Sequence, residues 1–271
     1  MTAPLWIVQK NLGDQSALMA ALDAEDIAHQ DILHIPFSDE LPDVEWEGPV
    51  ICYGATRFIT NVAAAGRWRP GAFFDPETFR HSVAAAHYGT AMLNHRARLL
   101  PMSEFRREPH APDDLFFLRP DADLKDFPGA LVEWREFEEW YGHVSAGGVL
   151  FDPDIPVIVG EPINLAREWR LFMLEGECLA ATQYRQDGRL VIREGAPIDV
   201  VQFAVELART WMPSPVAVYD IAMPYDVHER RHFGLVEINC FNSAGFYAAD
   251  IECIVREVTD FVVRETLWEA A

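Results

Sequence analysis

The sequence predicts an α/β (α+β) protein in two parts, and three observations carry that prediction. The first hundred residues alternate short apolar strands with helices in a β-α-β rhythm. From about residue 112 the texture changes to strands, hairpins and long connections. Half of the 271 residues are hydrophobic, with 17 Phe and 8 Trp, ample for a sizeable core in roughly two domains. The expected partition is residues 1–111 as a small open lobe and 112–271 as a mixed-sheet domain.

In the first part Leu5-Trp6-Ile7-Val8 reads as a short apolar strand, and Gly13-Asp14 as the turn before a helix from Asp14 to Asp26, with Leu18, Met19 and Leu22 on its apolar stripe. Asp31 to Ile35 is a second strand, ended by Pro36, and Val50 to Tyr53 a third, closed by Gly54. Thr56 is expected to cap the helix that runs through Ala65. Pro76 to His87 reads as a further helix with Pro at its start. In the second part Leu115 to Arg119 is a strand ended by Pro120, Glu133 to Tyr141 an acidic helix, and Val157-Ile158-Val159 a buried strand. Glu168 to Leu174 and Cys178 to Tyr184 form a hairpin around Glu175-Gly176-Glu177. Ile198 to Trp211 is a helix, Val216 to Met223 and Phe233 to Asn239 are strands, and Asp250 to Trp268 closes the chain as a helix.

Composition excludes several classes. Acidic residues outnumber basic ones 43 to 22, and a formal charge of −21 repels a phosphate backbone and an anionic membrane alike. Any polyphosphate site must therefore gather positive charge locally. No apolar run approaches the roughly 18–20 residues of a membrane span, and the N-terminus lacks the pattern of a signal peptide. Cys52, Cys178, Cys240 and Cys253 are dispersed without zinc-type spacing, as expected of reduced thiols in a cytoplasmic protein. The histidines show no HxxxH or HExxH pattern, and Ser145, Ser214 and Ser243 sit in no GxSxG context. Glu136, Glu138 and Glu139 read as the solvated face of a helix.

Three constellations could carry chemistry. In Leu235-Val236-Glu237-Ile238-Asn239 strand alternation places Glu237 and Asn239 on one face. Upstream, Asp220 interrupts the apolar run Val216 to Met223. Either these oxygens converge as ligands of a hard cation such as magnesium, or Asp220 lies in solvent on an edge strand and Glu237 is salt-bridged. In the second, Arg119 ends an apolar strand and Lys125, one of only two lysines, follows six residues later on a turn-rich loop. Two cations at that reach can clamp polyphosphate oxygens, or the loop is simply solvated. In the third, the apolar strand through Val159 runs into Gly160-Glu161-Pro162-Ile163, whose backbone could read an adenine edge. Glu168 and Arg170 then share a strand face, either to meet ribose and phosphate or as an exposed charge pair.

The order of these motifs resembles the ATP-grasp superfamily, over roughly residues 112–250, and within it the glutathione-synthase-like ligases. That resemblance implies two mixed-sheet lobes with ATP between them, behind a small Rossmann-like pre-ATP-grasp domain. It implies adenine on the backbone around Glu161 and Ile163, ribose near Glu168, and phosphates on Arg119, Lys125 and Arg170. It implies Mg2+ on Asp220, Glu237 and Asn239, with Arg170 and Lys125 as the catalytic pair. The activity it implies is ligation of a small-molecule or peptide carboxylate to an amine or thiol nucleophile through an acyl phosphate. A kinase and a catalytically silent nucleotide-binding protein are the alternatives, and a homodimer is compatible. Arg119 stands where most members carry lysine, which resembles a divergent clade. The glycine-rich phosphate loop is reduced to Phe127-Pro128-Gly129, with Gly147-Gly148 as a candidate supplement. The Ser-Pro that often follows the metal-binding Asn is replaced by Cys240-Phe241-Asn242-Ser243.

Overall fold

The structure is a computed structural model that describes residues 3–35, 38–148, 152, 154–225 and 233–269. The chain opens with a parallel sheet of β1 (Leu5–Gln9), β2 (His29–Ile32), β3 (Val50–Tyr53) and the short β4 (Pro70–Gly71), in the order β2-β1-β3-β4. Leu5 to Val8 and Val50 to Tyr53 are all buried, as strands covered on both faces must be. The helices α1 (Gln15–Ala24) and α2 (Thr56–Ala65) turn Leu18 and Leu22, and Phe58, Ile59 and Val62, into that core.

Three expectations for this region shift. The second strand pairs over His29–Ile32, because parallel pairing with Trp6 to Gln9 selects those residues; Leu33 and Ile35 are exposed, and Pro36 lies outside the described residues. Thr56 begins α2 rather than capping it; Ala55 holds the cap position, its N–H bound to the Gln9 side chain at 2.9 Å. The helix expected from Pro76 is α3 (His81–Tyr88), with 76–79 as a turn. Its start is set from elsewhere in the chain: the Asp121 carboxylate accepts the Ser82 N–H at 2.8 Å and its hydroxyl at 3.0 Å. A tertiary cap of this kind leaves no local signature.

The second sheet is antiparallel. It contains β5 (Arg98–Pro101), β6 (Leu115–Pro120), β7 (Ala130–Glu133) and β8 (Pro156–Gly160), in the order β5-β8-β6-β7. Beneath it α4 (Met102–Phe105) and α5 (Trp134–His143) bury Phe105, Trp134 and Phe137. Glu133 and Glu136 cap α5 reciprocally. Residues 98–101 pair here rather than with the first lobe, so the sheets divide the chain well before residue 112. Sequence spacing cannot register β5, because its partner β8 lies far along the chain.

The third sheet is also antiparallel: β9 (Leu165–Leu174), β10 (Glu177–Gln186), β11 (Arg189–Glu194), β12 (Val216–Pro224) and β13 (Gly234–Cys240), in the order β11-β10-β9-β12-β13. On one face Trp169, Leu171, Tyr219 and Ile221 pack in a core with α6 (Ile198–Thr210). On the other, Phe172, Leu174, Val216 and Val218 meet α7 (Ile251–Glu269) and the first sheet. β11 follows an Asp187-Gly188 turn with both residues at positive φ, an available hairpin signal that the strand pattern alone overlooks. The four cysteines are free. Among the described residues no helix is long and apolar enough to cross a membrane.

Candidate functional site

The floor of the site is set by strand register. Asp220 on β12 lies opposite Arg170 on β9 and opposite Glu237 on β13, while Ala222 lies opposite Glu168. Directly paired residues share a face, and Asn239, two residues beyond Glu237, shares it too. Arg170 binds Asp220 through two parallel bonds, Nε to Oδ1 at 2.9 Å and Nη2 to Oδ2 at 2.8 Å. Asn239 Nδ2 donates to the same Oδ2 at 3.2 Å. The solvent-exposed edge strand considered for Asp220 is thereby excluded: β12 is interior to the sheet and Asp220 is 1 % exposed.

The roof comes from the second sheet. Arg119 near the end of β6 reaches Glu237, Nη1 to Oε2 at 2.9 Å. Lys125 spans the gap by donating to Asn239 Oδ1 at 2.6 Å, with Asp123 Oδ1 also at 2.6 Å from its ammonium. The fully solvated loop is likewise excluded, since Asp123 is buried and accepts the Cys240 N–H at 3.0 Å. Gly129 passes so close that an added Cβ would sit 3.3 Å from the Arg119 Cβ.

Electrostatics follow from this crowding. Burial opposes ionisation of Glu237, but the charges of Arg119, Lys125 and Arg170 override it and hold its carboxyl far below the usual range. Burial raises Asp220 against the pull of Arg170, and raises Asp123 against Lys125. Burial also disfavours charge on Lys125 and Arg170, yet Glu237 and Asp123 keep the one protonated and Asp220 the other. Glu168 is raised by burial and accepts the Tyr184 hydroxyl at 2.8 Å. Three cations are thus held charged at one place in a chain of formal charge −21.

Floor and roof enclose a cavity of about 780 Å³. Arg119, Lys125, Glu161, Ile163, Glu168, Arg170, Asp220 and Glu237 all line it, and Asn239 bridges Lys125 and Asp220 at its base. Glu161 and Ile163 occupy the linker between β8 and β9. Of the reduced glycine loop, Phe127, Pro128 and Gly129 line the cavity; Gly147, beyond α5, does not. The Asn242 segment also lies elsewhere. Asn242 donates to Cys52 O at 2.6 Å and accepts the Phe73 N–H at 2.8 Å, bolting the first lobe to the end of β13. Its expected place beside the cavity is taken by Gly245 and Tyr247.

Sequence reasoning missed Asp123, Tyr184 and Tyr247. The two tyrosines stack at 5.2 Å, and the Arg170 guanidinium lies 5.6 and 5.3 Å from their ring centroids. Tyr247 has φ +52, a left-handed conformation unusual for an aromatic residue. The signal for Asp123 was its place between two cations; none marked the tyrosines, which meet through folding.

Two carboxylates and an amide oxygen on neighbouring strands form a hard-oxygen donor set that fits magnesium. Among the described residues no group of three His, Cys, Asp or Glu could hold a metal ion, so Asn239 is needed to complete it.

A cleft of mixed sheets with cations above and carboxylates below defines an ATP-grasp protein. The chain belongs to a family of ATP-grasp domains, the second family of its clade, whose model matches residues 93–256. The fold is similar to the ATP-grasp ligase PsnB complexed with minimal precursor, with a TM-score of 0.58 at 15% identity over 97% of this chain and 99% of that one. It is similar to D-cycloserine synthetase DcsG, at 0.59 and 14% over 96% and 99%. D-alanine–D-alanine ligase from Bacillus anthracis gives 0.59 and 10% over 97% and 95%. A search of curated proteins returned no match.

Proposed function

We propose that the cavity binds Mg-ATP and that the protein is an ATP-dependent carboxylate ligase. The observation that carries this is the convergence of Arg119, Lys125 and Arg170 with Asp220, Glu237 and Asn239 on one cavity between two sheets. The 160–163 linker offers its backbone to adenine, and Glu168 offers a carboxylate to the ribose hydroxyls. Arg119 and Lys125 take the phosphates, exchanging their present acidic partners for phosphate oxygens. Asp220, Glu237 and Asn239 hold magnesium, which supplies positive charge to the transferring phosphoryl group.

A substrate carboxylate attacks the γ-phosphorus and ADP leaves with the bridging oxygen. An amine or thiol then adds to the acyl phosphate, and inorganic phosphate departs. Arg170, fixed by Asp220 and Gly245 O at the reacting end, steadies the carboxylate and the acyl phosphate. The protein's contribution is positioning and electrostatic stabilisation. Support for a peptide or small-molecule substrate comes from the neighbours, since PsnB is described with a precursor peptide and AMPPNP, and with minimal precursor, Mg and ADP.

The test is ADP and phosphate release from Mg-ATP across paired carboxylates and nucleophiles. Release that requires both partners supports the ligase. A stable phosphorylated product, or tight ATP binding without ADP, rejects it.

A further inference from the structure

The third sheet ends on an unpaired edge at the mouth of the cavity. β11 pairs only with β10, and the hairpin joining them places Arg185 and Gly188 in the cavity wall. The Val191 carbonyl accepts from the Gln183 side chain at 3.3 Å, and the Arg193 carbonyl from Thr182 at 3.0 Å, so both turn toward β10. By strand alternation the N–H and C=O groups of Leu190 and Ile192 turn outward.

The side chains alternate as well. Leu190 lies opposite Arg185, which lies opposite Glu168, so Leu190 and Ile192 share the face of the cavity floor. They are 65% and 47% exposed, an uncovered apolar shelf beside the site. Arg189 and Arg193 project from the opposite face and are exposed, and among the described residues neither forms an ion pair. Glu194, at the far end, is the one acid on the strand.

We propose that this edge docks an extended segment of a peptide substrate as an added strand, with acidic residues alternating with apolar ones. The added backbone would complete the outward-facing hydrogen bonds. Its apolar side chains would cover Leu190 and Ile192, and its acidic ones, on the other face, would meet Arg189 and Arg193. Charge selects this occupant over a second copy of the chain, because two β11 edges brought together would set arginine against arginine. In naming a peptide as substrate class the proposal rests on the ligase activity proposed above. Docking is therefore measured without nucleotide, so that the two fail separately.

The experiment is fluorescence anisotropy of a short labelled peptide of alternating Val and Glu with the intact protein. The comparison peptides have the same composition in two blocks, or Lys in place of Glu. The alternating acidic peptide should bind, and both comparison peptides should bind more weakly. Arg189→Glu combined with Arg193→Glu should weaken binding by about tenfold, as two exposed ion pairs at a strand edge allow, with Mg-ATP affinity unchanged. N-methylation of alternate peptide amides should abolish binding in one register and spare it in the other, since only one edge of an added strand is bonded. Equal binding of the blocked peptide, indifference to the double reversal, or equal sensitivity to both N-methylation registers would overturn the proposal. So would a dimer in light scattering that the double reversal dissolves, because the edge would then belong to a second copy. Failure of Mg-ATP to bind while the peptide still docks would count against the ligase and leave the docking edge standing.

Discussion

The floor and the roof of the cavity hold their charges in different ways. On the floor, Arg170 and Asp220 stand on adjacent strands whose backbone ladder fixes both Cα atoms before the side chains meet. On the roof, Arg119 is on a strand end and Lys125 on a loop, and they are placed by the acids they touch across the cleft. Charges placed by a ladder are preorganised and expensive to unpair, whereas charges placed by their partners can exchange those partners for a ligand. The floor should therefore answer mutation mainly in stability, and the roof mainly in binding.

The largest effect should come from splitting the floor pair. Asp220→Asn leaves the Arg170 guanidinium without its counter-charge at a site where Asp220 is 1 % exposed. Breaking a buried pair from one side costs about 3–5 kcal/mol, to be read as a lower denaturation midpoint. Replacing both residues together, with Asp220→Leu and Arg170→Met, should restore part of that loss. If the single substitution is neutral, the pair is not the anchor of the floor.

Glu237 touches both halves and tests where they meet. Glu237→Gln keeps shape and removes charge, and ADP formation should fall by about a hundredfold, more than ATP affinity does. Normal turnover at saturating magnesium would remove Glu237 from the proposed metal site.

On the roof, Lys125→Ala should weaken nucleotide binding by about ten- to a hundredfold, as loss of a charge-assisted contact of roughly 1.5–3 kcal/mol implies. It should also lower stability somewhat, because Asp123, buried at 2% exposure, loses its cation. Calorimetric titration with Mg-ATP beside a thermal melt separates the two effects.

The smallest expected effect is a slope. His81 is buried behind the Arg119–Glu237 pair, and burial together with Arg119 pushes its pKa down to about 3 from 6.5. The unfolded chain thus binds a proton that the folded chain refuses between those values. This component of stability is fully present above pH 6.5 and is lost as pH falls toward 3, at no more than about 1.4 kcal/mol per pH unit. His81→Phe should flatten the stability–pH curve in that window. An unchanged slope would mean that His81 titrates normally.

Much of this protein is legible in its sequence. The change from β-α-β rhythm to hairpins, the Glu175-Gly176 turn, and the strands holding Asp220, Glu237 and Asn239 all follow from local periodicity, which two-residue alternation encodes directly. The family motifs survive because they sit on those strands in fixed order. What sequence could not determine is which strands lie side by side and which distant groups finish each element. β5 joins β8, Asp121 caps α3, Asn242 binds Cys52, and Tyr184 stacks on Tyr247. Each joins residues separated by connections of arbitrary length, whose geometry is settled only when the apolar faces have packed. Whether Asp220 lay in solvent or in a buried ion pair turned on the same point: one strand does not reveal its neighbours, and burial is a property of the assembled sheet.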